Sequence, residues 1–178
     1  MKLRHVHEVQ APVAEMYEAF TDVRRVGRAF PGAEITSVDG DDFTGLLTTR
    51  IGPFTLTYDG RGRMTEADRE AYVAALEARG GERRGFGRAS IAPRVHLTAL
   101  GEDRTRVELV TRLEVMGAPV DLGGGIAQRV SEPLVERFVR TLAGEPGSHE
   151  EDSLDVAGSI VAGLIAPAGR SLGRWLHR

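Results

Sequence analysis

From about residue 33 to residue 116 the apolar residues alternate with polar ones, run after run, and short clusters of turn-forming residues separate the runs. Gly45, Leu47, Thr49 and Ile51 share one face of a strand, Gly52-Pro53 turns the chain, and Phe54, Leu56, Tyr58, Gly60, Gly62 and Met64 share one face of the next. Tyr72, Ala74, Leu76 and Ala78 continue the series. Gly80-Gly81 then reads as a turn into a run from Phe86 to Leu100, in which Pro93 marks a bulge, and Val107, Leu109, Thr111, Leu113 and Val115 close it. Strands joined by such short connections pair antiparallel, so this stretch dictates a meander with one apolar face that something else must cover.

The flanks supply the cover. Residues 3 to 9 alternate as a strand. Ala11-Pro12 leads into Val13, Met16, Tyr17 and Phe20, the i, i+3, i+4, i+7 spacing of a helix with proline near its first turn, and a second short helix runs from Asp22 to Phe30, ahead of Pro31-Gly32. From Asp121 to Leu142 the spacing is helical again: Leu122, Ile126, Val130, Leu134, Phe138 and Leu142 each stand four residues from the last, with a kink expected at Pro133. Short helices, a strand-rich middle and one long final helix make an α+β chain. At 178 residues there is room for one ordinary domain plus an appendage. The domain is expected over 1–144, a linker over 145–152, where Pro, Gly, Ser and acids gather, and a tail over 153–178.

In that tail Leu154, Val161, Leu164, Ile165, Leu172, Trp175 and Leu176 project within one arc of a helix, while Arg170 and Arg174 project opposite and Arg178 follows. The uncharged run from Val156 to Gly169, broken by Pro167, is too short for the roughly 20 residues of a spanning helix, so the tail is expected to lie on a membrane rather than cross it. Trp175 suits the headgroup level, and each arginine adds about 1 kcal/mol near anionic lipid. Docking on another protein or on a second copy is one alternative, since Gly158, Ala162 and Ala166 form a line of small residues, and a disordered tail is the other.

The chain has no cysteine, which excludes disulfides, thiolate metal sites and a cysteine nucleophile. Its net charge of -3 gives no general reason to expect nucleic acid, and no apolar block follows the first charged residues as a signal peptide requires. His5 and His7 fall on one strand face about 7 Å apart, a spacing able to share a metal, but no third ligand can be named and cavity-facing polar residues are the preferred reading. Arg79, Arg83, Arg84 and Arg88 read as a solvated hairpin tip, with a basic patch as the alternative. Asp39, Asp41, Asp42, Glu66 and Asp68 fall in turns. Neither Gly85-Phe86-Gly87 nor Gly123-Gly124-Gly125 completes a nucleotide loop, and no catalytic constellation is present.

The stretch "FPGAEITSVDGDDFTGLLTTRIGPFTLTYDGRGRM", with its Pro-Gly after the short helices, Gly-Asp-x-aromatic-x-Gly at Gly40 to Gly45 and Ile-Gly-Pro turn at Ile51 to Pro53, resembles the CoxG family of carbon monoxide dehydrogenase subunits. That family is a branch of the START-like, polyketide-cyclase-related (SRPBCC) superfamily. The likeness continues through "GFGRASIAPRVHLTAL" and "TRVELVTRLEV" to about residue 144. It implies a helix-grip fold, a curved antiparallel sheet wrapped around a long C-terminal helix with an apolar cavity between them. Leu47, Thr49, Ile51, Phe54, Leu56, Tyr58, Leu76, Phe86, Leu109, Thr111 and Leu113, with Ile126, Val130 and Leu134 from the helix, are expected to line it. Glycines 45, 60 and 62 on the same face either leave volume or permit curvature.

The function expected on this resemblance is that of a non-enzymatic carrier. It would hold a lipophilic small molecule, an isoprenoid quinone such as menaquinone, with Tyr58 or Thr111 toward a ring carbonyl. It would link a molybdenum hydroxylase such as carbon monoxide dehydrogenase to the quinone pool, in the cytoplasm and peripherally on the inner face of the cell membrane. Two alternatives stand beside it: a recruitment or assembly factor without ligand, and a small cyclase- or hydrolase-like enzyme using His5, His7 or Arg88.

Overall fold

The computed structural model describes residues 1–51, 54–117, 126–145 and 154–155. The chain runs β1 (Lys2–Val9), α1 (Val13–Thr21), α2 (Val23–Ala29), β2 (Ala33–Asp39), β3 (Asp42–Ile51), β4 (Phe54–Asp68), β5 (Val73–Glu82), β6 (Arg88–Ala99), β7 (Thr105–Met116), α3 (Ile126–Leu142) and β8 (Leu154–Asp155). The sheet order is β1-β7-β6-β5-β4-β3-β2, so five consecutive hairpins form the meander and β1 closes its far edge by pairing with β7. The α+β helix-grip architecture is the one expected.

The helices form where local chemistry starts and stops them. Pro12 occupies the N-cap of α1 with φ -61° and ψ 143°, its fixed φ leading the chain into the first turn, and Met16, Tyr17, Ala19 and Phe20 form the buried face. Asp22 ends α1 and begins α2: its carboxylate accepts from the amides of Arg24 and Arg25 at 2.9 and 3.1 Å, a cap worth about 1 kcal/mol. The Arg25 guanidinium donates to the Leu142 carbonyl at 2.8 Å and ties α2 to the last turn of α3. Pro133 stands inside α3, which continues as one element to Leu142. The expected start of that helix, Asp121 to Gly125, lies outside the described residues.

The helices cover one face of the sheet unevenly. Val9, Met16, Val107, Val139 and Leu142 are fully buried in a packed core under α1 and the end of α3. Phe138 meets Phe20 and Phe30 edge to face at ring separations of 5.9 and 5.5 Å, and beyond this aromatic partition the packing opens.

Three expectations differ from the structure. Gly80 and Gly81 are not a turn but part of β5, and the turn lies at 83–87. The cause is local: the buried Glu82 carboxylate accepts from the amides of Arg84 at 2.7 Å and Phe86 at 3.3 Å, and Gly85 takes a φ of 82° that favours glycine. Phe86 is therefore on the turn and 58% exposed, not on the cavity wall. Leu154, expected on the apolar side of a tail helix, stands instead in β8, parallel to β3 and opposite Thr49. Of the other tail residues, Val161, Leu164, Ile165, Arg170, Leu172, Arg174, Trp175, Leu176 and Arg178 lie outside the described residues, as does the linker beyond Glu145. Glu145 itself accepts from the Gln10 amide at 3.3 Å and pairs with Arg140 at 3.7 Å.

Candidate functional site

Between the sheet and the helices, on the open side of the aromatic partition, lies a cavity of about 370 Å³. That is within the range of small-molecule sites. Strand alternation aims one residue in two at it. Leu47 and Tyr58 are partners across β3 and β4, Ile91 and Leu113 across β6 and β7, and all four line the wall. From α2 come Val23, Val26, Gly27 and Phe30, and from α3 Ser131, Leu134, Val135 and Phe138.

The hollow has a backbone cause. Gly45 pairs with Gly60 and Gly60 with Gly80, so three glycines stand side by side across β3, β4 and β5. A Cβ on Gly45 would lie 2.5 Å from the Glu34 carbonyl oxygen, one on Gly60 3.1 Å from that of Arg79, and one on Gly80 2.9 Å from that of Asp59. The column is a crease along which neighbouring backbones close in and the sheet curls, and the same three residues line the cavity they curve around.

The expected lining residues divide into groups. Leu47, Tyr58, Leu76, Leu109, Thr111, Leu113 and Leu134 are on the wall. Leu56 and Val130 are buried beside it in a small cluster with Tyr58, and Thr49 is buried away from the wall. The side chains of Ile51, Phe54 and Ile126 lie outside the described ones. The wall residues on α2 fall outside that expectation, although Val23, Val26, Gly27 and Phe30 carry the i, i+3, i+4, i+7 signature in the sequence.

Most of the wall is apolar, and its polar groups are few. Tyr58 faces Glu82 across the strands, and burial together with that carboxylate's charge holds its hydroxyl above the usual pKa of 10.0, keeping the phenol protonated. His5 is only 2% exposed and stands where β1 meets α3. Gln128, Ser131 and Glu132, spaced three and four apart, put a polar stripe of α3 along this edge strand. The Gln128 side chain donates to the Arg4 carbonyl at 2.7 Å and accepts from the Arg4 amide at 2.9 Å. His5 Nε2 lies 2.9 Å from Ser131 Oγ and 3.7 Å from Glu132, and the His7 ring stacks on His5 at 6.4 Å with its Nε2 3.6 Å from the same carboxylate. Burial, outweighing the attraction of Glu132, holds His5 below its ordinary pKa of 6.5 and therefore neutral.

Elsewhere several acids and arginines pair at the surface. Glu66 takes both Arg94 nitrogens at 2.9 and 3.0 Å, Asp42 pairs with Arg63 and Asp59 with Arg83. Arg88, weighed as a cavity group, is exposed near Ser90 and Glu114, off the cavity wall. Among the described residues no group of three His, Asp or Glu side chains is placed to hold a metal ion. No described helix is long and apolar enough to cross a membrane.

This architecture is shared. A conserved protein from Geobacillus kaustophilus superposes with a TM-score of 0.70 at 17% identity, covering 81% of this chain and 93% of that one. Norcoclaurine synthase from Thalictrum flavum superposes at 0.56 with 15% identity, covering 81% and 84%. At such identities the likeness shows the fold alone, and because one neighbour is a synthase the fold does not decide between a binding protein and an enzyme. No curated protein matches the sequence. The family model for CoxG, a subunit of carbon monoxide dehydrogenase, matches residues 6–145, from the middle of β1 through α3, and leaves Leu3 and His5 of the cavity wall just ahead of the matched stretch. The chain belongs to the CoxG family of carbon monoxide dehydrogenase subunits.

Proposed function

We propose that this chain is a carrier, not a catalyst, which holds a lipophilic small molecule between its sheet and helices on behalf of an oxidoreductase of the carbon monoxide dehydrogenase kind. The ligand proposed is an isoprenoid quinone such as menaquinone. The observation that carries the reading is the cavity: about 370 Å³, walled by Leu47, Ile91, Leu113, Leu134 and the phenylalanine partition, with polar groups at Tyr58, Thr111, His5 and Ser131 and two arginines, Arg61 and Arg79. Apolar lining with a few placed polar groups suits a molecule with a hydrocarbon body and an oxygen-bearing ring. Family membership supports the link to a molybdenum hydroxylase, and electrons leaving such an enzyme for a lipid-dissolved pool need a mobile amphiphile. The tail is proposed to bring the carrier to the inner face of the cell membrane by its apolar and arginine residues.

The test is mass spectrometry of organic extracts from the full-length protein purified out of bacterial membranes, beside Leu113→Arg and Ile165→Asp/Leu172→Asp variants. A stoichiometric quinone is expected in the unaltered protein. Leu113→Arg should remove it while the protein stays folded, and the tail variant should reduce it. Empty unaltered protein that still binds membranes would replace the carrier with a recruitment factor. Unfolding by Leu113→Arg would describe a packed core instead of a cavity.

A further inference from the structure

Among the described residues, His5 is the buried ring on the cavity wall whose hydrogen-bonding is half used, and the protons around it decide what the unused half can do. Ser131 has a single hydroxyl proton, and the Gln128 carbonyl at 3.0 Å is placed to accept it. With its proton so directed, Ser131 Oγ acts as acceptor toward His5 Nε2, 2.9 Å away. The Glu132 carboxylate, 3.7 Å from the same nitrogen, is also an acceptor only. Two acceptors converging on Nε2 place the proton there, and in a neutral imidazole this leaves Nδ1 as a bare lone pair. Nδ1 is buried and has no hydrogen-bond partner among the described residues. A buried acceptor in that condition is destabilising, and a donor relieves it.

The neighbours do not supply one. Leu109 faces His5 across β7, and the charged or titratable groups packed near it are His7 on the same strand and Glu132 on α3. Tyr58 stands on β4, separated from β1 by β5, β6 and β7.

We infer that the cavity selects ligands by a hydrogen-bond donor: the His5 acceptor favours an aromatic amphiphile bearing a ring hydroxyl over its carbonyl, ether or hydrocarbon counterpart. Resting on the carrier reading above, this makes the reduced hydroquinone, not the quinone, the better-held form. Reduction by two electrons and two protons turns the two ring carbonyls into hydroxyls, so one acceptor on the wall distinguishes the two states. A wall built this way holds the reduced form of its cargo more tightly than the oxidised form.

The test uses the full chain and three probes of nearly equal shape: 1-naphthol, which donates, 1-methoxynaphthalene, which only accepts, and 1-methylnaphthalene, which does neither. Affinities are measured by titration calorimetry at pH 7.5 for the unaltered protein and for His5→Leu. The expected result is a preference for 1-naphthol over the other two that is about tenfold greater in the unaltered protein than in His5→Leu. Equal ratios in the two proteins overturn the inference and leave the carrier reading standing. Failure of all three probes to bind the unaltered protein overturns both.

A second measurement needs no variant. Nitrogen-15 spectra of the histidine rings should place the His5 proton on Nε2 and shift Nδ1 upfield on adding 1-naphthol but not 1-methylnaphthalene. A proton on Nδ1, or no shift with 1-naphthol, overturns the assignment.

Discussion

Under α1 and the last turns of α3 the inner face of the sheet meets Met16, Val139 and Leu142 and is filled without remainder, whereas over β3 to β6 the same alternation of inward residues encloses empty space. The strands are continuous between the two halves, so strand propensity does not explain the difference. What differs is the cover and the floor. The packed half receives long side chains from two helices, and the hollow half has alanines at 74, 75 and 78 and the glycine crease beneath a short α2. A cavity here is thus a property of backbone curvature and small residues rather than of any residue dedicated to it.

The largest test of this contrast is Leu142→Ala in the packed half, where no space exists to absorb the loss. It should cost about 2–5 kcal/mol in urea denaturation. A cost under about 1 kcal/mol would make the two halves equally loose and end the distinction. Next comes the crease: Gly45→Ala forces a Cβ against the Glu34 carbonyl, and a loss of about 1–3 kcal/mol together with weakened 1-naphthol binding is expected. Retained binding would uncouple curvature from the cavity.

In the hollow half the sign reverses. Leu113→Phe adds volume where volume is available, so stability should stay within about 1 kcal/mol of the unaltered protein or rise, while probe binding is lost. A Leu113→Phe variant as damaged as Leu142→Ala would mean the space closes in solution. The smallest effect concerns pH. Since His5 is held below its unfolded pKa of 6.5, the unfolded chain takes up the proton first as pH falls. Stability from the buried neutral ring is whole above that value and lost below it. Thermal melts between about pH 7.5 and 5.5 should therefore slope less steeply in His5→Gln than in the unaltered protein. Equal slopes would place the acid sensitivity elsewhere.

Much of the architecture can be read from the order of residues because period-2 and period-3.6 patterns report on which face is buried. Alternation alone aims Leu47, Tyr58, Leu109 and Leu113 correctly. It misplaces Phe86, because the Glu82 carboxylate gathers the amides that set the turn, and no local pattern announces that role. The two glycines of "RGGE" suggest a turn for the same reason that Gly80 serves the crease: lack of a side chain suits both, and only the pairing register tells them apart. His5 is legible as a polar residue on an apolar face. Its half-used ring is not, since Ser131 and Glu132 reach it only through the tertiary fold.

That last contact has a consequence for how the protein is made. His5 and Ser131 are 126 residues apart, and Arg4 and Gln128 are 124 apart, so the polar end of the cavity arises from closures that span most of the chain. Closures of that span are entropically late and make folding slow. A ribosome-bound chain lacking α3 has five hairpins but no finished wall. A ligand that needs this wall can bind only the completed protein.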